Sequence, residues 1–138
     1  MNRTRRAHPR SEHGQTAVEF VLVAPILIAL LLGVVQAGIA FHNYLSVTDA
    51  ARAVARKAIL VRFTPLSQTD INQIADQASP DLDPSQLNAS VTPDPTDPLF
   101  KTAGSTITVT VTYPYHLQLF GIPVVDGTLT STMKDRLE

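Results

Sequence analysis

The stretch "GQTAVEFVLVAPILIALLLGVVQAGIAF", residues 14–41, decides how the chain is built. From Phe20 to Phe41 it runs 22 residues with one polar side chain, Gln36. As a helix rising about 1.5 Å per residue it spans roughly 33 Å, the thickness of a ~30 Å hydrocarbon core. In lipid a lone segment of this kind is helical, because only a helix satisfies its backbone N–H and C=O groups internally. Pro25 removes one of those hydrogen bonds, and Gly33 and Gly38 leave room for a neighbouring helix. Such breakers are better tolerated in membrane helices than in soluble ones. The reading is a transmembrane segment over residues 15–41.

The flanks orient it. Arg3, Arg5, Arg6 and Arg10 precede the run, opposed only by Glu12, and the next Lys or Arg after Phe41 is Arg52. Cytoplasmic flanks carry the excess of Lys and Arg, so the basic leader, residues 1–14, is expected in the cytoplasm and the bulk of the chain outside it. A plain anchor holding an exported binding domain fits these features. So does a secretory signal peptide cut near Val35-Gln36-Ala37, although Phe20 to Val35 is slightly longer than the usual apolar core of ~7–15 residues.

Neither of those readings uses Gly14 and Glu19. A carboxylate at a helix centre in lipid costs roughly 2.5–3.5 kcal/mol and less at the interface, where it also favours the helix N-terminus. Cleavage after Gly14 gives both residues a purpose. It frees an α-ammonium on Gln15, of ordinary pKa about 7.7–8.0, and makes Glu19 the fifth residue of the mature chain. In a staggered array of parallel helices, Glu19 of one subunit can meet the terminal ammonium of another, and that pairing offsets the burial of both charges.

"GQTAVEF" before an apolar helix resembles the class III leader of type IV pilin-like proteins. More closely, the stretch from Gly14 to Arg56 resembles the TadE-like pseudopilins of the tight-adherence (Flp) pilus system. The shared features are Glu19-Phe20, Pro25, Ala50-Ala51-Arg52 and Ala55-Arg56, with Val54 where members often carry Gly. The resemblance implies a minor pilin-like subunit of the bacterial inner membrane, cut by a prepilin peptidase between Gly14 and Gln15. It implies a role in assembling or anchoring an Flp-type pilus, with Glu19 and Phe20 serving assembly. The implied partners are the peptidase, other pilin-like subunits, inner-membrane pilus assembly proteins and the lipid bilayer. It also implies a single pass with the C-terminal part extracytoplasmic, and no enzymatic activity.

Beyond the membrane, residues 42–64 read as a continuation of the same helix, rich in Ala and free of Gly and Pro. Ala40, Tyr44, Val47, Ala51, Val54, Ala55 and Ala58 share one face, expected to pack on the protein's own sheet. Asp49, Arg52 and Arg56 share the opposite face, with Asp49 and Arg52 spaced to pair. That charged stripe is either solvated or a contact for partners. Pro65 is expected to end the helix. "LSQTDINQIADQASP", residues 66–80, then predicts a short helix capped by Ser67 or Thr69, with Ile71, Ile74, Ala75 and Ala78 inward.

A strand is expected within Gln86–Thr92. "STITVTVTYPY", residues 105–115, alternates strictly and predicts a half-buried antiparallel strand with Ile107, Val109, Val111 and Tyr113 on one face. Pro114 is expected to end that strand or to lie at a sheet edge. "HLQLFGIPVVDG", residues 116–127, reads as a loop with exposed apolar content, either a local cluster covering the sheet or a partner-contact or membrane-proximal loop, and a last strand follows with Leu129, Ser131, Met133, Asp135 and Leu137 on one face. The expected fold is α+β: a long N-terminal helix on a small antiparallel sheet of about three strands, the exported domain being residues 65–138.

Composition excludes several classes. Net charge is −1, so nothing marks a nucleic-acid binder, and with no Cys there is no disulfide framework or thiolate site. His8, His13, His42 and His116 have no metal-ligand spacing. Asp81, Asp83, Asp94 and Asp97 are oxygen donors of the type calcium takes, but no EF-hand pattern orders them, and Asp beside Pro is ordinary turn chemistry. No phosphate-binding or nucleophile motif is present, and no cofactor or metal is expected.

Overall fold

The computed structural model describes residues 12–60, 66–98, 102, 104–119 and 121–136. The leader arginines, Arg62, Pro65, the expected helix end and Leu137 lie outside them. The elements in chain order are α1 (Glu12–Leu60), α2 (Gln68–Ala78), β1 (Asn88–Thr92), β2 (Thr106–Leu119) and β3 (Ile122–Arg136). This is the expected α+β arrangement. The chain divides into one unit up to Val35 and a second from Gln36 onward.

The described part of the first unit is helix alone. α1 runs through Pro25 without interruption. None of the apolar window is buried. Leu22, Ile26, Leu30, Leu31 and Val34 each keep at least 60% of their surface open. Burying a Leu or Ile side chain is worth about 1.5–3 kcal/mol, so a helix exposing apolar groups on every side is built for a solvent other than water. At Gly33 and Gly38 a Cβ would meet nothing within 4 Å, so both positions stay open to a neighbour.

The second unit holds the core. Val47, Ala50, Ala51, Val54, Ala55 and Ala58 of α1 are buried in one cluster with Ile71 and Ala75 of α2, Leu82, and the inner face of the sheet. Ser46 and Thr48 spend their hydroxyls inside the helix, donating to the carbonyls of His42 and Tyr44 at 3.3 and 2.9 Å.

α2 begins at a capping box, with Ser67 as the cap. The Asp70 amide donates to Ser67 Oγ at 3.2 Å, and the Ser67 amide donates to Asp70 Oδ2 at 3.0 Å. Gln68 Nε2 donates to the Ala89 carbonyl at 2.7 Å, tying the helix to β1.

The sheet is antiparallel in the order β1-β2-β3. Ala89 pairs with Val111 and Val91 with Val109; across β2, Ser131 pairs with Val111 and Met133 with Val109. These residues and Ile107 form the inner face, while the Thr positions of β2 alternate onto the other. β1 starts at Asn88, inside the Gln86–Thr92 window.

Pro114 takes the second of its two expected places, at a sheet edge. β2 runs past it to Leu119, β1 pairing stops at Thr112, and Pro114 pairs with Thr128 of β3 on a stretch that, among the described residues, has one free edge. The absent N–H costs nothing on that side. Residues 116–127 are not a loop but the far half of the β2–β3 hairpin. Leu119 pairs with Ile122 across a two-residue connection, and Gly121 at φ +79° supplies the left-handed conformation. Leu117 pairs with Val125 and Gln118 with Pro123, so Val124 is the extra residue of a bulge.

Candidate functional site

The sequence-derived site residues fall on two surfaces, one in each unit. Gly14, Gln15, Glu19 and Phe20 are all on α1 and all exposed. Gln15 Nε2 donates to Glu19 Oε1 at 3.3 Å, the contact that i, i+4 spacing permits. Phe20 leaves 69% of its surface open immediately beside that acid. The peptide bond between Gly14 and Gln15 therefore lies on an exposed helical face, with a carboxylate one turn on and apolar surface after it.

On the second surface, Asp49 and Arg52 are joined at 3.1 Å, both about 61% open. An exposed pair of this kind adds little stability, so it is free to serve recognition. Arg52 and Arg56 line a recess of about 240 Å³ with Ala55, Ile59, Met133, Lys134 and Asp135. The charged stripe of α1 thus meets the charged end of β3, with three cations and one acid around an apolar floor. Arg52 and Arg56 were legible as a stripe. Lys134 and Asp135 were not, because the sheet brings them in from far along the chain.

The acids of the Pro/Asp-rich segment serve their own turns. Asp83 Oδ1 accepts from the Ser85 amide at 2.9 Å and its hydroxyl at 2.7 Å; Asp94 Oδ1 accepts from the Thr96 amide and hydroxyl at 2.8 and 2.6 Å. These bonds, the hydroxyl first, hold both carboxyls below the usual 3.8. Asp81 faces His42 at 3.4 Å. Among the described residues no three His, Asp or Glu side chains converge as metal ligands.

Residues 14–56 match the family model described as TadE-like protein. The match opens at Gly14, takes in Glu19-Phe20 and the apolar helix, and closes at Arg56, before the sheet begins. No curated protein and no solved structure matches the chain. Over residues 14–56 the chain is thus similar to the TadE-like family, a likeness that points to Tad/Flp pilus-related function.

Proposed function

We propose that the protein is a minor pilin-like subunit that acts in the assembly or anchoring of an Flp-type pilus from the cytoplasmic membrane. Its N-terminus faces the cytoplasm, and the unit that carries the sheet faces outward. A prepilin peptidase cuts between Gly14 and Gln15, removing the leader arginines that hold the helix to the cytoplasmic face. Glu19 then pairs with the new terminal ammonium of a neighbouring copy or pilin-like partner. Asp49, Arg52 and Arg56 contact other assembly proteins of the same membrane. The protein acts by assembling and is not an enzyme.

The observation that carries this reading is the order Gly14, Glu19, Phe20 on one exposed helix, ahead of a membrane-length apolar run and inside the TadE-like match. The test is expression with and without a cognate prepilin peptidase, followed by sequencing of the mature N-terminus. A start at Gln15 that depends on the peptidase supports the reading. An intact Met1, or a start at Gly38 as a signal peptidase would leave, reduces the protein to an exported domain with a plain anchor or signal peptide.

A further inference from the structure

Gln36 is the one polar side chain between Phe20 and Phe41. An amide without partners is costly in hydrocarbon. Gln36 has one: its Nε2 donates to the backbone carbonyl of Gln118 at 3.1 Å, next to the end of the β2–β3 hairpin. The bond places that hairpin end beside α1 at a level five residues inside the apolar run, about 7–8 Å short of Phe41 along the helix axis. The same end presents Ile122, Val124 and Val125 with 66, 58 and 45% of their surfaces open. Immediately behind it the chemistry changes: His116 Nδ1 meets Asp126 Oδ1 at 2.8 Å, and Tyr115 comes next. An apolar tip followed by a His–Asp polar contact and an aromatic ring is the gradation of a membrane interface.

From this the geometry points to a second membrane contact: the hairpin tip seats Ile122, Val124 and Val125 among the upper acyl chains of the leaflet facing the sheet, and Gln36 clamps it to α1. The inference rests on α1 entering lipid. Its depth is limited by the backbone. Among the described residues, β2 has no β1 neighbour past Thr112 and the outer edge of β3 pairs with no strand, so the open N–H and C=O groups keep the tip at interfacial depth. Two lipid contacts from one chain fix the orientation of the exported unit on the membrane surface.

The chain has no Cys, so a single introduced thiol is unique. Full-length V124C, L30C and T130C are labelled with an environment-sensitive fluorophore and reconstituted in phosphatidylethanolamine–phosphatidylglycerol vesicles. The vesicles carry a nitroxide either near the head group or near the acyl-chain end. The expected result is blue-shifted emission at V124C, quenched more by the head-group-proximal nitroxide. L30C is quenched more by the chain-end nitroxide, and T130C by neither. Quenching at L30C without quenching at V124C overturns the inference and leaves the anchor standing. No quenching at L30C overturns the anchor and the inference with it. A blue shift at V124C without lipid quenching means that another copy covers the tip, which also refutes the lipid seat. Q36L is expected to bring V124C quenching down to the T130C level while L30C stays quenched; unchanged quenching at V124C rules out the clamp.

Discussion

Glu19 stands where α1 becomes apolar, and its Oε1 accepts from Gln15 Nε2 at a long 3.3 Å. That contact is too weak to justify an acid at the edge of lipid. An ammonium at about 4 Å in an effective dielectric of ~20 interacts by about 4 kcal/mol, enough to offset the insertion penalty. Glu19→Ala is therefore expected to insert as well as the parent, since a charge has been removed, yet to be lost from the assembled pilus machinery. Membrane fractionation reads the first and co-purification of partners the second; full recovery of partners means the acid serves only the helix terminus. Gly127 makes a different residue-scale case. A Cβ there would lie 2.5 Å from Tyr115 Cε1, because the two residues pair across the hairpin and the ring lies over the glycine. Gly127→Ala must push the ring aside, a close-packing penalty of about 1–3 kcal/mol. Urea unfolding in detergent should show that loss, and adding Tyr115→Ala should abolish the increment, because the double variant has no ring left to displace.

At the scale of elements, α2 depends on its cap. The Ser67 hydroxyl, and then the Ser67 amide, hold the Asp70 carboxyl below 3.8. A carboxyl depressed in the folded state stabilises the fold above its unfolded-state pKa, and that contribution fades as pH falls through the lower folded-state value. Ser67→Ala is expected to destabilise the protein by about 0.5–2 kcal/mol. It should also raise the Asp70 titration part of the way back toward 3.8, since the amide still donates. NMR titration of the Asp70 carboxyl checks this, and an unmoved midpoint would assign the depression to another group. How legible an element was depended on how it is buried. The Ala/Val face of α1, the α2 stripe and the alternation of residues 105–113 are each covered by one core, so burial wrote its period into the sequence. Over residues 116–127 no core covers either face. The alternation is broken by Gly121, by Pro123 and by Val124 as an extra residue, and exposed apolar residues without a period resemble a loop. Glu19 and Gly14 could be read because a charge and a bare backbone are conspicuous beside an apolar run. The recess floored by Met133 could not, because only the fold joins α1 to β3.

Across the whole molecule, stability comes from two solvents. No buried residue precedes Val47 in the described chain, while the unit from Gln36 onward holds every member of the core cluster. The first unit is therefore stabilised by lipid and the second by its own packing, and substitutions should separate the two. Leu30→Arg places a charge near the middle of the apolar run, where insertion costs roughly 2.5–3.5 kcal/mol. It is expected to deplete the membrane fraction strongly while leaving the urea midpoint of the sheet in detergent unchanged. Ala51→Leu does the reverse. Ala51 has no exposed surface and belongs to the core cluster that α1 shares with α2 and the sheet, so the added carbons overpack that core at a cost of about 1–3 kcal/mol. The sheet should melt earlier with insertion intact. If Leu30→Arg lowers the urea midpoint as far as Ala51→Leu does, the exported fold does depend on the apolar helix, and the two-solvent account fails.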